Sequence, residues 1–418
     1  MKNEPQFDER YRLSPRHVDN PGVEKRSRAV LHQQQQHLDR LRNRPRNIAY
    51  FEHAVRGENI SDAAPLVGYF CNMTPPELIR AAGGVPVRLG CGNAALVQTG
   101  EEVLAGDICP LAKASFACVV DERSIASRCD AFVLPTSCDA KTKLGEILED
   151  YRPTFMIHLP PEQNHELFLK ETVKSYQRLE AFLGGVTGRK VSRKALLHAV
   201  RQGREQAGLV RRLQEIRSEC PGALSVQDLF LMIQAASSGV DMEEWCRECR
   251  NVITEIEGYS PERRRFRHRV VLTGAPAIWP NFKPLSLLEE CGADVVADTL
   301  CSGTESCYDP VVIDETGHKS LLRALSLRYV FASPCPAFIS QGKRLNRVIN
   351  LVDEFTADAV INYSLRLCQL FDAETYRLSQ VLKQRQIPFM NMRTDYSLED
   401  IEQLRVRLEA FLETLEEI

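Results

Sequence analysis

From Leu66 onward, short apolar runs rich in β-branched residues alternate with segments of helical period, and this happens twice along the chain. Such alternation is the grammar of strand-helix-strand units, whose strands pair in parallel and whose helices cover the sheet. In the first series LVGYF reads as a strand and TPPELIRAAG as a helix, with prolines in its first turn and glycine at its end; VPVRLG is a further strand. CPLAKASFACVVDE then reads as a helix opening at Cys109, DAFVLPTS as a strand, AKTKLGEILED as a helix and PTFMIHLP as a strand. The pattern resumes at Arg269 with VVLTGAP, FKPLSLLEECG, ADVVADTL, a helix near SLLRALSLRYV, KRLNRVINLVDEFT, ADAVINYS, DAETYRLSQVLKQRQ, IPFMNMRTD and a closing helix. Residues 162 to about 265 are predominantly helical, and residues 1–60 are polar, reading as one or two helices after a disordered tip.

A chain of 418 residues exceeds the size at which one core keeps growing. The expected division is therefore an N-terminal helical arm over 1–60, a first α/β lobe over 61–161, a helical connecting region over 162–265, and a second α/β lobe with its closing C-terminal helix over 266–418. Two halves with the same grammar are placed to face each other across a cleft.

Six of the fourteen cysteines stand at the ends of strand-like runs: Cys71, Cys109, Cys138, Cys301, Cys335 and Cys368. Open α/β sheets collect ligands outside the carboxyl ends of their strands, so six thiols at such positions predict one shared site. An iron-sulfur centre is the first candidate. The start of the chain lacks the apolar core of a secretory signal, and no stretch approaches the roughly 20 apolar residues that span a bilayer. The expectation is a cytoplasmic protein without a membrane partner, where cysteines serve metal or redox chemistry rather than disulfides. A net charge of −3 argues against a nucleic-acid partner.

Taken together, GYFCNMTPPELIRAAGGVPVRL, CPLAKAS, LPTSCDAKTK, IPFMNMRTDYS and the QLRVRLEAF tail resemble the 2-hydroxyacyl-CoA dehydratase and benzoyl-CoA reductase superfamily, from about residue 66 to 418. The resemblance implies two flavodoxin-like lobes joined by helices, with an iron-sulfur cluster between them. By the dehydratase pattern Cys109, Cys138 and Cys368 hold one 4Fe-4S cluster. By the pattern of the double-cubane branch Cys71, Cys301 and Cys335 hold a second cubane, giving an 8Fe-9S double cubane, and carrying all six favours that branch. Cys307 in CSGTESC is an alternative to Cys301.

The implied activity is reductive chemistry on a small molecule, driven by low-potential electrons from an ATP-dependent iron-sulfur activator. Two alternatives stand beside it: an (R)-2-hydroxyacyl-CoA dehydratase subunit working through a ketyl radical on a single cluster, and a non-enzymatic electron-transfer or cluster-carrier protein. A homodimer, or a heterodimer with a related subunit, is implied as well. TGRKVS near Gly188 lacks the glycine before lysine that a phosphate-binding loop needs, so the ATP site is expected on the partner.

Thiolates suit iron because they are soft, anionic donors. Cysteines opening CPLAKAS and CDAKTK would sit at helix N-termini, whose N–H groups and dipole favour negative charge. Lys113, Lys141 and Lys143 lie close by and read as solvated helix charge. Cys246 and Cys249 form a CxxC with no second half, read as one turn of amphipathic helix. His158 reads as a core histidine, with a proton donor at the cleft as the alternative. Asp139 is expected to cap the helix after Cys138, and Asp395, Tyr396, Gln403 and Arg407, which match positions of the family, are read as structural or as supports of the cluster ligands.

Overall fold

The computed structural model describes residues 21–416 except 42, 59, 61–63, 164–165, 259–265, 267 and 340–341. The expected N-terminal tip lies outside the described residues. Two four-stranded sheets, parallel throughout, organise the described chain. The first contains β1 (Leu66–Tyr69), β2 (Val85–Arg88), β3 (Ala131–Pro135) and β4 (Thr154–Ile157) in the order β2-β1-β3-β4. The second contains β5 (His268–Gly274), β6 (Ala293–Asp298), β7 (Ala359–Leu365) and β8 (Phe389–Thr394) in the order β6-β5-β7-β8.

Both sheets thus have the same topology, and both reverse strand order between their first and third strands. A crevice opens at that reversal, outside the carboxyl ends of the strands. β3, β6 and β7 are buried along their whole length, as strands covered on both faces must be. Helices answer the alternation strand by strand. The reading passed over only short elements, such as the helix Ala94–Gly100, whose Asn93 side chain accepts from the Ala95 N–H as an N-cap.

The long helix Arg193–Glu219 joins the lobes. Its N-terminal half buries Leu196, Ala199 and Val200 in the core of the first lobe, and its C-terminal half buries Val210, Leu213 and Ile216 in that of the second. At 27 residues it spans about 40 Å at 1.5 Å per residue. Buried Arg217 pins it to β6 by donating to the Val295 carbonyl (3.0 Å) and the Asp294 carboxylate (3.2 Å). The helices Pro21–Leu38 and Ile48–Val55 bury Leu38, Ile48 and Phe51 in the same core as the second sheet, with Phe51 edge-on to Trp245.

The helix His318–Ser326 crosses back. It buries Leu321, Leu322 and Leu325 against the first lobe, together with Val330 and Phe338. The run before Cys335, read as the end of the SLLRALSLRYV helix and, in YVF, as a strand-like run, is helical: a π-helical turn, Leu327–Phe331, continues this helix. Its apolar residues are satisfied by packing against the first core, and a short apolar run carries no periodicity that distinguishes the two states.

Candidate metal centre

Cys71, Cys138, Cys301 and Cys368 follow β1, β3, β6 and β7. Cys109 follows a turn rather than a strand, and Cys335 follows the π-helical turn, which corrects the expectation of six strand ends. All six are free thiols.

Three of them occupy one structural role. Cys109, Cys138 and Cys368 are the N-cap residues of the helices Pro110–Val120, Asp139–Leu148 and Gln369–Gln384. Cys138, not Asp139, is therefore the cap, and Asp139 is an exposed first-turn residue. Burial pushes the Cys109 thiol up and the Cys368 thiol up to about 12, while the N–H groups of Ala112 and Phe371, respectively, oppose it. Cys368 feels the charge of both Cys109 and Cys138. Leu367, just before it, takes a left-handed φ of 65°, a conformation that side chains with a Cβ adopt at a cost.

The other three sit in loops held by polar side chains. Cys71 itself has φ 57°, and its turn is tied by the Thr74 hydroxyl to the Phe70 carbonyl (2.9 Å) and by the Tyr176 hydroxyl to the Met73 carbonyl (2.9 Å). The Cys301 loop is wound around buried Asp298, which accepts from the N–H groups of Leu300 (2.9 Å) and Thr304 (3.1 Å) and from the Thr304 hydroxyl (2.7 Å). The Cys335 loop hangs from Gln163, whose amide donates to the carbonyls of Val330 (2.6 Å) and Ser333 (2.8 Å).

Two cations reach these loop thiols. Lys141 Nζ lies 2.7 Å from Cys71 Sγ and 3.4 Å from Ser137 Oγ. Arg88, at the end of β2, donates across the lobe interface to the Cys301 carbonyl (2.8 Å) and lies 3.6 Å from its Sγ. Burial raises the Cys71 thiol, but Lys141 outweighs it and the thiol falls below its ordinary value. Burial pushes Cys301 up and Cys335 up to about 12, and both feel Cys71 and Lys141. Lys141 is in turn held far above the ordinary lysine range: burial opposes its charge, but Cys71, Cys138 and Cys301 favour it.

Lys141 thus stands in the field of all six thiols; Cys109, Cys138 and Cys368 act electrostatically on one another, as do Cys71, Cys301 and Cys335. Cys307 has Ser306, Arg328, Glu77 and also Arg88 as neighbours, and it lines a cleft of about 620 Å³ with Tyr308, Asp309, Arg204 and Arg211. Among the described residues, no group of three or more Cys, His, Asp or Glu side chains is close enough to hold a single metal ion. A cluster makes a different demand, since each thiolate binds its own iron and the thiolates stand apart.

The three lysines read as solvated helix charge divide. Lys143 is exposed, on Glu146, whereas Lys113 is buried against Glu101 and the Gly106 carbonyl and Lys141 lies on Cys71. The 137/141 spacing, one helical turn, was a signal for the Ser137–Lys141 contact. Nothing in the sequence pointed to Arg88. His158 is exposed beyond the end of β4, which corrects the core reading. Cys246 and Cys249 are buried on the apolar face of the helix Met242–Gly258.

Paired lobes, each built on a four-stranded parallel sheet, define a two-lobed α/β protein with six free thiols near the strand ends and helix starts. The model of the family "2-hydroxyglutaryl-CoA dehydratase, D-component" matches residues 71–415, and the chain belongs to that family, whose members are acyl-CoA dehydratases, enzymes of the lyase type. It is 28% identical over 358 residues to a putative dehydratase subunit, YjiM, of Escherichia coli (strain K12), covering 84% of this chain and 91% of that one. It is 21% identical over 355 residues to the beta subunit of (R)-2-hydroxyglutaryl-CoA dehydratase of Acidaminococcus fermentans, covering 84% and 92%. It is also 20% identical over 356 residues to the beta subunit of lactoyl-CoA dehydratase of Anaerotignum propionicum, covering 84% and 91%. Among the described residues no helix is long and apolar enough to cross a membrane.

Proposed function

We propose that the chain is a cytoplasmic, oxygen-sensitive iron-sulfur enzyme that carries a double cubane on Cys71, Cys109, Cys138, Cys301, Cys335 and Cys368 and reduces a small molecule there. Its electrons would come from an ATP-dependent iron-sulfur activator, and it would act as a dimer. The observation that carries this reading is the set of six free thiols that share the field of one half-buried lysine, Lys141, whose Nζ lies 2.7 Å from Cys71 Sγ.

The residues fit such a group chemically. Each set of three offers soft anionic donors. Helix N-termini at one set and Lys141 and Arg88 at the other supply the positive potential that buried thiolates and sulfide need. An iron-sulfur group would supply one-electron reduction at low potential. The chain's own residues would hold it, exclude water through the buried β-strand ends, and neutralise its charge.

The names of the relatives favour a second reading, an (R)-2-hydroxyacyl-CoA dehydratase subunit with one 4Fe-4S cluster on Cys109, Cys138 and Cys368. Iron and acid-labile sulfide on anaerobically purified protein separate the two. About eight irons per chain, falling by about half in Cys71→Ala, is the expected result. About four irons, unaffected by that change, would return the chain to the single-cluster reading, and none would remove both.

A further inference from the structure

The hydroxyls of Tyr363 and Tyr396 are both buried and both without a hydrogen-bond partner among the described residues. A buried phenol left unpaired costs free energy, and native structures rarely leave one so unless a partner is missing. The two side chains come from separate elements. Tyr363 lies within β7, five residues before Cys368, and Tyr396 follows β8. Both side chains belong to the core against which Cys91, Cys109 and Cys368 pack. Within it Tyr363 has Cys368, Asp395 and Asp400 as electrostatic neighbours, and Tyr396 has Tyr363, Cys109, Cys91 and Cys368.

Their placement is rigid. Asn281 Nδ2 donates to the Tyr396 carbonyl at 3.0 Å, and the flanking Asp395 accepts from the Ser397 N–H at 2.8 Å. Tyr363 sits in the middle of the second sheet, its backbone paired with β5 and β8. Neither ring can turn its hydroxyl to solvent without breaking that packing.

We infer that Tyr363 and Tyr396 are positioning residues whose hydroxyls donate hydrogen bonds to the sulfur of the group held by Cys109, Cys138 and Cys368. This rests on the iron-sulfur reading of that site. A phenol is a neutral donor, so it stabilises added negative charge on sulfur without adding a cation to the core. The pair supplies to the helix-cap thiols what Lys141 and Arg88 supply to the loop thiols.

The test compares wild type with Tyr363→Phe, Tyr396→Phe and the double variant, each loaded anaerobically. Iron content, midpoint potential by mediated titration with spin-resonance readout, and urea unfolding of the metal-free chain are measured on each. The expected result is unchanged iron, a reduction equilibrium disfavoured about threefold in each single variant and about tenfold in the double, or about 59 mV for one electron, and a metal-free chain no less stable than wild type. Loss of iron from a single variant whose metal-free chain is fully stable also supports the inference, because the donor is then needed to retain the group. An unmoved potential with iron intact overturns it, as does a metal-free chain that is destabilised, which would give the hydroxyls a partner within the fold. A wild-type chain without iron overturns the cluster reading itself and this inference with it, and so is distinguishable from the other failures.

Discussion

The two sets of three thiols solve the same electrostatic problem by different means. Cys109, Cys138 and Cys368 cap helices, so the backbone itself supplies their positive surroundings, and the three segments need only begin helices at the right place. Cys71, Cys301 and Cys335 sit in loops, and there the positive charge comes from Lys141 and Arg88, while Asp298, Gln163 and Thr74 fold the loops. Backbone positivity survives most substitutions, whereas charge delivered by a side chain is lost with one residue. The loop set is therefore the more fragile and the more tunable.

That contrast is testable first through pH, because buried acids underlie the loop set. Glu305, in the Cys301 loop, has its carboxyl pushed up to about 8, mainly by burial, against the opposing charges of Arg347 and Arg328. A raised value means that the folded chain holds this proton more tightly than the unfolded one. Its contribution to stability is complete below about 4.5 and is lost as pH rises through about 8. Urea unfolding of the metal-free protein across that window should lose up to about 1.4 kcal/mol per pH unit from this group, and Glu305→Gln should flatten the dependence. An equally steep profile in the variant would place the titrating group elsewhere.

Next in size is Gly303→Ala. A Cβ at Gly303 would overlap the Asp298 carboxylate and the Phe230 ring. Overpacking of this kind costs roughly 1–3 kcal/mol. We expect it to lower the iron associated with the loop set while leaving that of the helix-cap set, and equal losses from both would show that the sets assemble as one unit.

Smallest in energy is Lys141→Met. With the cation gone, the loaded protein should be harder to reduce by about tenfold, or about 59 mV for one electron, and Lys141→Arg should recover much of that. A potential that ignores both changes would mean that Lys141 serves packing alone.

Much of the fold was legible because its signals are local. Parallel strands buried on both faces read as continuous apolar runs, as ADVVAD and AVINYSL do, and Pro75, Pro76 and Pro110 mark helix starts. Before Cys335 the helix was legible as far as RYV, but its π-helical close was not, since YVF has strand-like composition and becomes helical through its packing against the first core. Lys141 was misread because charge on a helix is usually solvated, and only the meeting of the Asp139–Leu148 helix with the Cys71 turn sets its ammonium on a thiol.

The sequence by itself determined the two series of strands and helices, the thiols of Cys71, Cys138, Cys301 and Cys368 at strand ends, and membership of the dehydratase family, because each is written in local pattern and motif. Tertiary structure alone decided that six thiols spread from Cys71 to Cys368 share the field of one lysine, that Arg88 reaches Cys301, and that the Tyr363 and Tyr396 hydroxyls are, among the described residues, without partners. These relations join residues distant in sequence, from 70 positions for Lys141 and Cys71 to 213 for Arg88 and Cys301. The last of them exists only once the long helix and the returning 318–326 segment have closed the two lobes on each other.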